Sequence, residues 1–515
     1  MKRRTFIQKL AATGMILPMA MGFPRLRAFA QPPENSPFTK LAAAQSDRIL
    51  IIIRMAGGND GLNTIVPYTN AAYYAARSEG AVSIAENEAV KLPGSDTLGL
   101  HPELSPLKQL FEEKKLAIVQ NVAYPNQNLS HFRSTDIWLS GSDANVYSQA
   151  GWYAKYLEEI YPDYPDTLPA MPFAIELGTY LSTTLIGEKN NMGIAITDLS
   201  YVPGMPDSDH LADNHEGDEE KYVREIMRQT NVFSNSIIAA AIKQSTNKAV
   251  YPTGNKLADA LAAIVRVIAG GLTTQMYIVN VGGYDTHSSQ LVQQANLHKQ
   301  FAEALLAFQR DIEAFGLDKR IALMTISEFG RRVASNGTGT DHGAASPIFA
   351  LGTSVNGGFY GREPNLEDLD NNGNLKMEYD FRQLYASVLS QWFGAADSEL
   401  TPGPLPRTFA QLPVFQRLAT GANESGTFAA NGLSLGQNYP NPAIAETIIP
   451  FEGIGPNIIA TLTISTIEGR EILREQLTSG QTALRIDVRK MPAGAYIYEI
   501  RNGSARITRS MTVLR

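Results

Sequence analysis

The sequence predicts an α/β protein: a mostly parallel sheet flanked by helices in three layers, followed by a small all-β sandwich. Three observations carry this. Arg48–Met55, Leu116–Val122, Gln275–Val281 and Ile321–Ile326 are short, nearly continuous apolar runs, with the bulk expected of strands buried on both faces. Stretches of helical period lie between and after them, notably Leu257–Ile268, Gln290–Phe315 and Asp380–Phe393. Beyond a linker, residues 433–515 change to period-two alternation broken by turn pairs such as Glu468-Gly469 and Asn502-Gly503.

Length and charge narrow the function classes. A chain of 515 residues has room for two to four domains and a large core. It contains no cysteine, which excludes disulfides, thiolate zinc sites and a cysteine nucleophile. Formal net charge is −7, yet the first thirty residues hold six basic side chains and no acid, so the remainder sits near −13. That balance argues against nucleic acid or an anionic membrane as the main partner.

Residues 1–30 read as an export signal. Lys2, Arg3 and Arg4 precede an apolar stretch from Leu10 to Phe23, and Ala28-Phe29-Ala30 offers small residues for cleavage before Gln31. The apolar stretch is too short to span a bilayer stably. Lys2-Arg3-Arg4-Thr5-Phe6-Ile7-Gln8-Lys9 resembles the twin-arginine signal, a route for proteins already folded.

Along the body, residues 45–415, each strand-like run empties into a polar cluster. Arg48–Met55 leads into Ala56-Gly57-Gly58-Asn59-Asp60-Gly61, a tight glycine turn with one carboxylate. It has neither the spacing nor the lysine of a phosphate-binding loop. His101-Pro102-Glu103 opens an amphipathic helix reaching Lys115. Leu116–Val122 then leads to Asn128-Leu129-Ser130-His131-Phe132-Arg133, where a nucleophile-type and a ligand-type residue meet at a helix start; Ser130 as a plain N-cap is the competing reading. The segment 207–220 is acidic but lacks calcium-loop spacing and reads as a solvated loop. Gln275–Val281 ends in Gly282-Gly283-Tyr284-Asp285-Thr286-His287. Gln290–Phe315 is the return crossover, with His298 expected on its surface. Ile321–Ile326 ends in Ser327-Glu328-Phe329-Gly330, followed by a Gly/Asn/Thr-rich loop, Asp341-His342-Gly343 and a short apolar strand at Pro347–Leu351.

Four strand mouths therefore carry Asp60, Ser130/His131, Asp285/His287, and Glu328 with Asp341/His342. Ligands at the C-terminal ends of parallel strands are where open α/β sheets place their chemistry. Oxygen and imidazole donors without thiolate suit a divalent ion, Zn, Mn, Mg or Fe, at about 2.0–2.2 Å.

The stretches GGNDGLNTIVPY, NLSHFRSTDIW, GGYDTHSSQ, SEFGRRVASNGTGTDHG and DFRQLYASVLSQWFG resemble the exported family known as domain of unknown function 1501. That family is similar to the alkaline phosphatase–sulfatase superfamily. The resemblance implies metal ligands at Asp60, Asp285, His287, Glu328, Asp341 and His342, with Ser130 or His131 as the reacting group. Phe329 departs from the superfamily, standing where a strand-end histidine is expected. The implied function is a secreted or surface-attached metal-dependent hydrolase of phosphate or sulfate esters, acting on a small-molecule or glycan ester. The alternative is a non-catalytic surface protein on a degenerate sulfatase-like fold.

Residues 416–432 turn to Ala, Asn, Gly, Ser and Thr, as in a linker. In the β-rich tail, Gln437-Asn438-Tyr439-Pro440-Asn441-Pro442 and Met491-Pro492-Ala493-Gly494-Ala495-Tyr496 resemble the C-terminal sorting domain of type IX secretion. The partners this implies are the export and secretion machinery, and the route runs through the periplasm to the surface or medium.

Overall fold

The computed structural model describes residues 47–417 apart from 79–81, 167, 200–231, 396–399 and 402, and most of 434–513. The expected export signal, acidic loop 207–220 and most of the linker lie outside the described residues. Two compact units fall within residues 34–418 and 419–515.

In the larger unit the elements run β1 Ile49–Met55, α1 Ser105–Glu112, β2 Leu116–Ala123, α2 His131–Ser140, α3 Trp152–Ile160, β3 Ala174–Leu177, β4 Ile194–Ile196, α4 Lys256–Ala269, β5 Met276–Val281, α5 Gln290–Ala314, β6 Ile321–Ile326, β7 Arg331–Ser335, β8 Thr340–His342, β9 Ser346–Leu351, β10 Gly358–Tyr360 and α6 Phe381–Ser387. Among the described residues the main sheet has nine strands, in the order β10-β2-β9-β6-β1-β5-β3-β4 with Tyr379–Asp380 added beside β2. Strand β1 is central and parallel to both neighbours: Ile52 pairs Ile278 on one side and Met324 on the other. Only β9 runs against the rest, antiparallel to β6 and to β2. Its insertion leaves β2 parallel to β6, so β1, β2, β3, β5 and β6 all open at one edge.

Alternation along β1 sorts its isoleucines between two layers. Ile49, Ile51 and Ile53 pack with Leu261, Ile264 and Ile268 of α4 and with Phe301, Leu305 and Phe308 of α5. Leu50 and Ile52 face Trp138 of α2, Trp152 of α3 and Tyr385 of α6. Each fully buried isoleucine contributes roughly 1.5–3 kcal/mol. Both faces are covered, which is why the run reads as continuously apolar. Helix α6 begins on a capping box between Asp380 and Gln383 and widens into a π-helical turn over Val388–Trp392.

The smaller unit has β11 Ser434–Leu435, β12 Glu446–Glu452, β13 Ala460–Thr466, β14 Glu471–Leu477, β15 Ala483–Asp487, β16 Gly494–Asn502 and β17 Ala505–Val513. They form a three-stranded sheet, β11-β12-β15, and a four-stranded one, β14-β13-β16-β17. Leu462, Ile464, Tyr498 and Ile500 share one core with Ile449 and Ile486 of the other sheet. This is the expected sandwich.

His298 is buried rather than on the helix surface. Gln290, Gln294 and His298 recur every fourth residue on the inward face of α5, a polar stripe that an apolar-periodicity reading assigns outward. Its partners are polar too: Gln294 Nε2 donates to the Asp60 carbonyl at 3.0 Å, and His298 Nε2 lies 3.2 Å from Thr64 Oγ1. His101 meets His298 edge to face at 5.0 Å. Burial holds the His101 pKa down to about 4, against the opposing charge of Asp60, and burial beside His101 holds His298 well below its ordinary range.

Unfolding returns His101 to an ordinary value near 6.5, so the unfolded chain takes up the extra proton. The stability from the neutral ring is complete above about pH 6.5 and lost as pH falls toward 4, by up to roughly 3 kcal/mol. Urea midpoints between pH 7 and pH 5 should fall steeply in the wild type and less in His101→Asn. Equal declines in the two proteins would contradict this assignment.

Candidate metal centre

The mouths of β1, β5 and β6 are pressed together by two glycines. Gly57 has φ +118°, and a Cβ there would lie 2.3 Å from the Asp285 amide nitrogen. A Cβ on Gly58, at φ +83°, would lie 2.4 Å from the Phe329 ring. Only residues without side chains let these turns touch. The contact is then tied by Glu328, whose Oε1 accepts the Gly57 N–H at 2.7 Å.

Arg331, fully buried on β7, fixes the remaining loops. Its guanidinium donates to the carbonyls of Gly57 (2.6 Å), Gly58 (2.9 Å), Tyr284 (3.0 Å) and Thr340 (2.8 Å), and to the Asp285 carboxylate. Burial alone would raise the Asp285 pKa. The bond and charge of Arg331, with His287 and His342, outweigh that and hold it low. β8 pairs with β7, setting His342 opposite Arg331 and so over Asp285.

Three imidazoles surround this carboxylate. His131 Nε2 is 3.4 Å from Asp285 Oδ2, while His287 Nε2 and His342 Nε2 are 3.1 and 3.2 Å from Oδ1. The last two nitrogens are 3.0 Å apart. His131, Asp285 and His342 each offer a ligand atom within 4.8 Å of the others.

The opposite nitrogens point at acceptors. His342 Nδ1 is 2.8 Å from the Leu129 carbonyl, His131 Nδ1 is 3.0 Å from Glu328 Oε1, and His287 Nδ1 is 3.3 Å from Asp341 Oδ1. A carbonyl has no proton to give. Asp341 is held ionised by a hydrogen bond from Asn336 that outweighs its burial, helped by His287 and Arg332. Nδ1 therefore donates, and in a neutral ring Nε2 is left as a bare lone pair facing Asp285. Burial lowers the His342 pKa, with Arg331 and His131 adding to it against the Leu129 carbonyl and Asp285, so that ring stays neutral. Lone pairs and a carboxylate at such distances repel, and a cation or a proton must lie among them. The donor set fits a metal ion.

The sequence-predicted residues divide by position. Asp285, His287, His342 and His131 converge. Glu328 and Asp341 form an outer ring against their imidazoles. Ser130 is exposed at the start of α2, makes no side-chain cap bond and has no base in hydrogen-bond reach among the described residues. Asp60 is turned elsewhere: its oxygens accept from Arg77 at 2.5 and 2.9 Å, from the Leu62 amide at 3.1 Å, and from Gln290. Sequence reading missed Arg331, the Leu129 carbonyl and Asn336. Arg331, one residue past Gly330 in the SEFGRRV stretch, was the one with a visible signal. Phe329 packs against two of the imidazoles, its ring centroid 5.0 Å from that of His131 and 4.6 Å from that of His342.

Residues 211–402 match the family described as protein of unknown function (DUF1501), and residues 437–514 match the secretion system C-terminal sorting domain. The matched span holds Asp285, His287, Glu328, Asp341 and His342. No curated protein matches the chain. Among solved structures it is similar to a protein in the alkaline phosphatase superfamily from Vibrio parahaemolyticus, at 10% identity over 89% of each chain, with a TM-score of 0.33. It is also similar to a sulfatase from Pseudoalteromonas sp., at 10% identity over 91% of this chain and 92% of that one, with a TM-score of 0.30. A DUF3244 family protein with an immunoglobulin-like β-sandwich from Bacteroides vulgatus matches 16% of this chain and 81% of its own, at 17% identity and a TM-score of 0.13. The sorting tail marks the chain for export and for surface attachment or secretion. No helix among the described residues is long and apolar enough to cross a membrane.

Asp60→Asn should leave Arg77 as an unpaired charge in the interior and cost about 3–5 kcal/mol, while zinc uptake stays unchanged. Thermal denaturation and elemental analysis of the variant read both. A variant of normal stability that loses its metal would instead make Asp60 a ligand.

Proposed function

We propose that this chain, a DUF1501-family protein with a C-terminal secretion sorting domain, holds one divalent cation and hydrolyses phosphate or sulfate esters after export. The ligands are His131, His287, His342 and Asp285. The observation that carries the reading is the common orientation of the three rings: Nδ1 outward on Glu328, Asp341 and the Leu129 carbonyl, Nε2 inward on Asp285. Metal-binding histidines are oriented in this way by outer carboxylates and carbonyls. Three imidazoles favour Zn or Fe, with Mn next and Mg the poorest fit.

A cation there would polarise an ester oxygen and acidify water. The chain's own residues do the rest. Arg331 fixes Asp285, and Glu328 and Asp341 hold the ring planes. The Ser130 side chain makes no cap bond to the first N–H groups of α2, beside His131, and a helix start favours an anion's oxygens. Ser130, lacking a base, is assigned to contact the substrate, and solvent water supplies the attacking oxygen. The same lack of a base, with the apolar Phe329 packed against the rings of His131 and His342, favours a second reading: a metal-holding surface protein without catalysis. In both readings the twin-arginine route and the periplasm precede surface delivery.

The test strips the full chain with a chelator and reloads it with zinc, iron, manganese or magnesium. One equivalent of metal should bind and raise the melting temperature. Glu328→Gln and Asp341→Asn should weaken binding about 10- to 100-fold, and His287→Ala and His342→Ala should weaken it further. Aryl sulfate or aryl phosphate turnover in the loaded wild type, lost in those alanine variants, supports the hydrolase. Metal uptake without turnover leaves the second reading, and no uptake contradicts both.

A further inference from the structure

We propose that the sheet edge bearing this cluster is a carbohydrate platform, on which a glycan chain stacks its sugar faces against Phe132, Tyr147 and Tyr180. Among the described residues these are the aromatic side chains that stand out in solvent, 86%, 82% and 76% exposed. Each large apolar face left wet carries an unfavourable hydration free energy that the fold does not recover. All three belong to one edge. Phe132 lies in the first turn of α2, next to His131, after β2. Tyr180 follows β3, which opens in the same direction as β1 and β5. Tyr147 is brought to α2 by Arg133, whose Nη2 donates to the carbonyls of Ala144 at 3.1 Å and Val146 at 2.6 Å. The same guanidinium lies 4.0 Å from the centre of the Tyr147 ring. That ring is presented outward on a held support.

Phe132 adjoins His131, whose ring lies against Asp285 and Glu328, so it stands at the histidine cluster itself. Tyr180 precedes the Thr183–Leu185 turn, which is tied to α2 by Thr184 Oγ1 donating to the Leu139 carbonyl at 3.3 Å. Separate aromatic faces around one centre suit an extended, ring-built ligand rather than a compact one. Asn128, Asn145 and Gln149 are exposed nearby, with the paired donors and acceptors that sugar hydroxyls require. Nucleic acid also stacks on such rings, but it binds along a positively charged groove, and Asn128, Asn145 and Gln149 are neutral amides. An apolar protein partner would call for a continuous patch, not separated rings among amides. The proposal deepens the hydrolase reading by naming a glycan as the ester's carrier, and it rests on that reading only for the chemistry.

Affinity electrophoresis of the full chain through gels containing galactomannan, xylan, pectin or carrageenan tests it. At least one polysaccharide should slow the wild type. Combined Phe132→Ala, Tyr147→Ala and Tyr180→Ala should cut the retardation at least tenfold, and the three tryptophan replacements should keep it. His287→Ala with His342→Ala should remain retarded, so binding and metal chemistry fail separately. Three outcomes would overturn the platform: no retardation in any gel, equal retardation of the triple alanine variant, or capture by oligo(dT) that the alanine changes abolish.

Discussion

The buried guanidinium of Arg331 is the interaction on which the geometry of the centre depends. It binds four carbonyls and one carboxylate contributed by the turn after β1, the turn after β5 and the strand β8. Arginine alone offers five donors in a planar fork, and a lysine could satisfy only part of this set. Without it, four carbonyls would each lose a donor, although the Tyr284 carbonyl still accepts from the Thr286 amide at 3.0 Å, and Asp285 would lose its anchor. Gly57 and Gly58 are the counterpart of this constraint, since any side chain there would hold the turns apart.

Two aspartates at neighbouring strand mouths show how such pairing decides availability. Asp60 meets Arg77 with both oxygens and is further bonded by Gln290 and two backbone amides, so nothing is left to offer. Asp285 meets Arg331 through Oδ1 only and remains half-exposed, with Oδ2 turned to His131. The charge partner, not the carboxylate itself, separates a fully engaged acid from one left open to a cation. Phe329 adds an apolar wall to the centre, its ring packed against those of His131 and His342, which meet each other edge to face at 4.4 Å.

Much of this was legible in the sequence, because the strands are buried on both faces and each ends in a recognisable break. Ile49–Met55, Met276–Val281 and Ile321–Ile326 fell where their apolar runs ended. The gathering of Asp285, His287 and His342 followed from strand mouths sharing an edge. What stayed hidden depends on long-range partners. Asp60 carries no local mark of Arg77, seventeen residues on. Glu328 stands at a strand end, where a ligand is expected; the turn of its Oε1 to Gly57 and His131 is set by the fold alone. His298 looked exposed because the face of α5 that enters the core is polar, matched by Thr64 and the Asp60 turn.

The central claim, one ion held by inward Nε2 atoms, is tested most directly by anomalous diffraction from crystals soaked in zinc and recorded at the zinc edge. The account predicts a single strong peak at about 2.0–2.2 Å from Nε2 of His131, His287 and His342 and from an oxygen of Asp285. A peak on any Nδ1 atom, a peak at Asp60, or none among the three rings would contradict it.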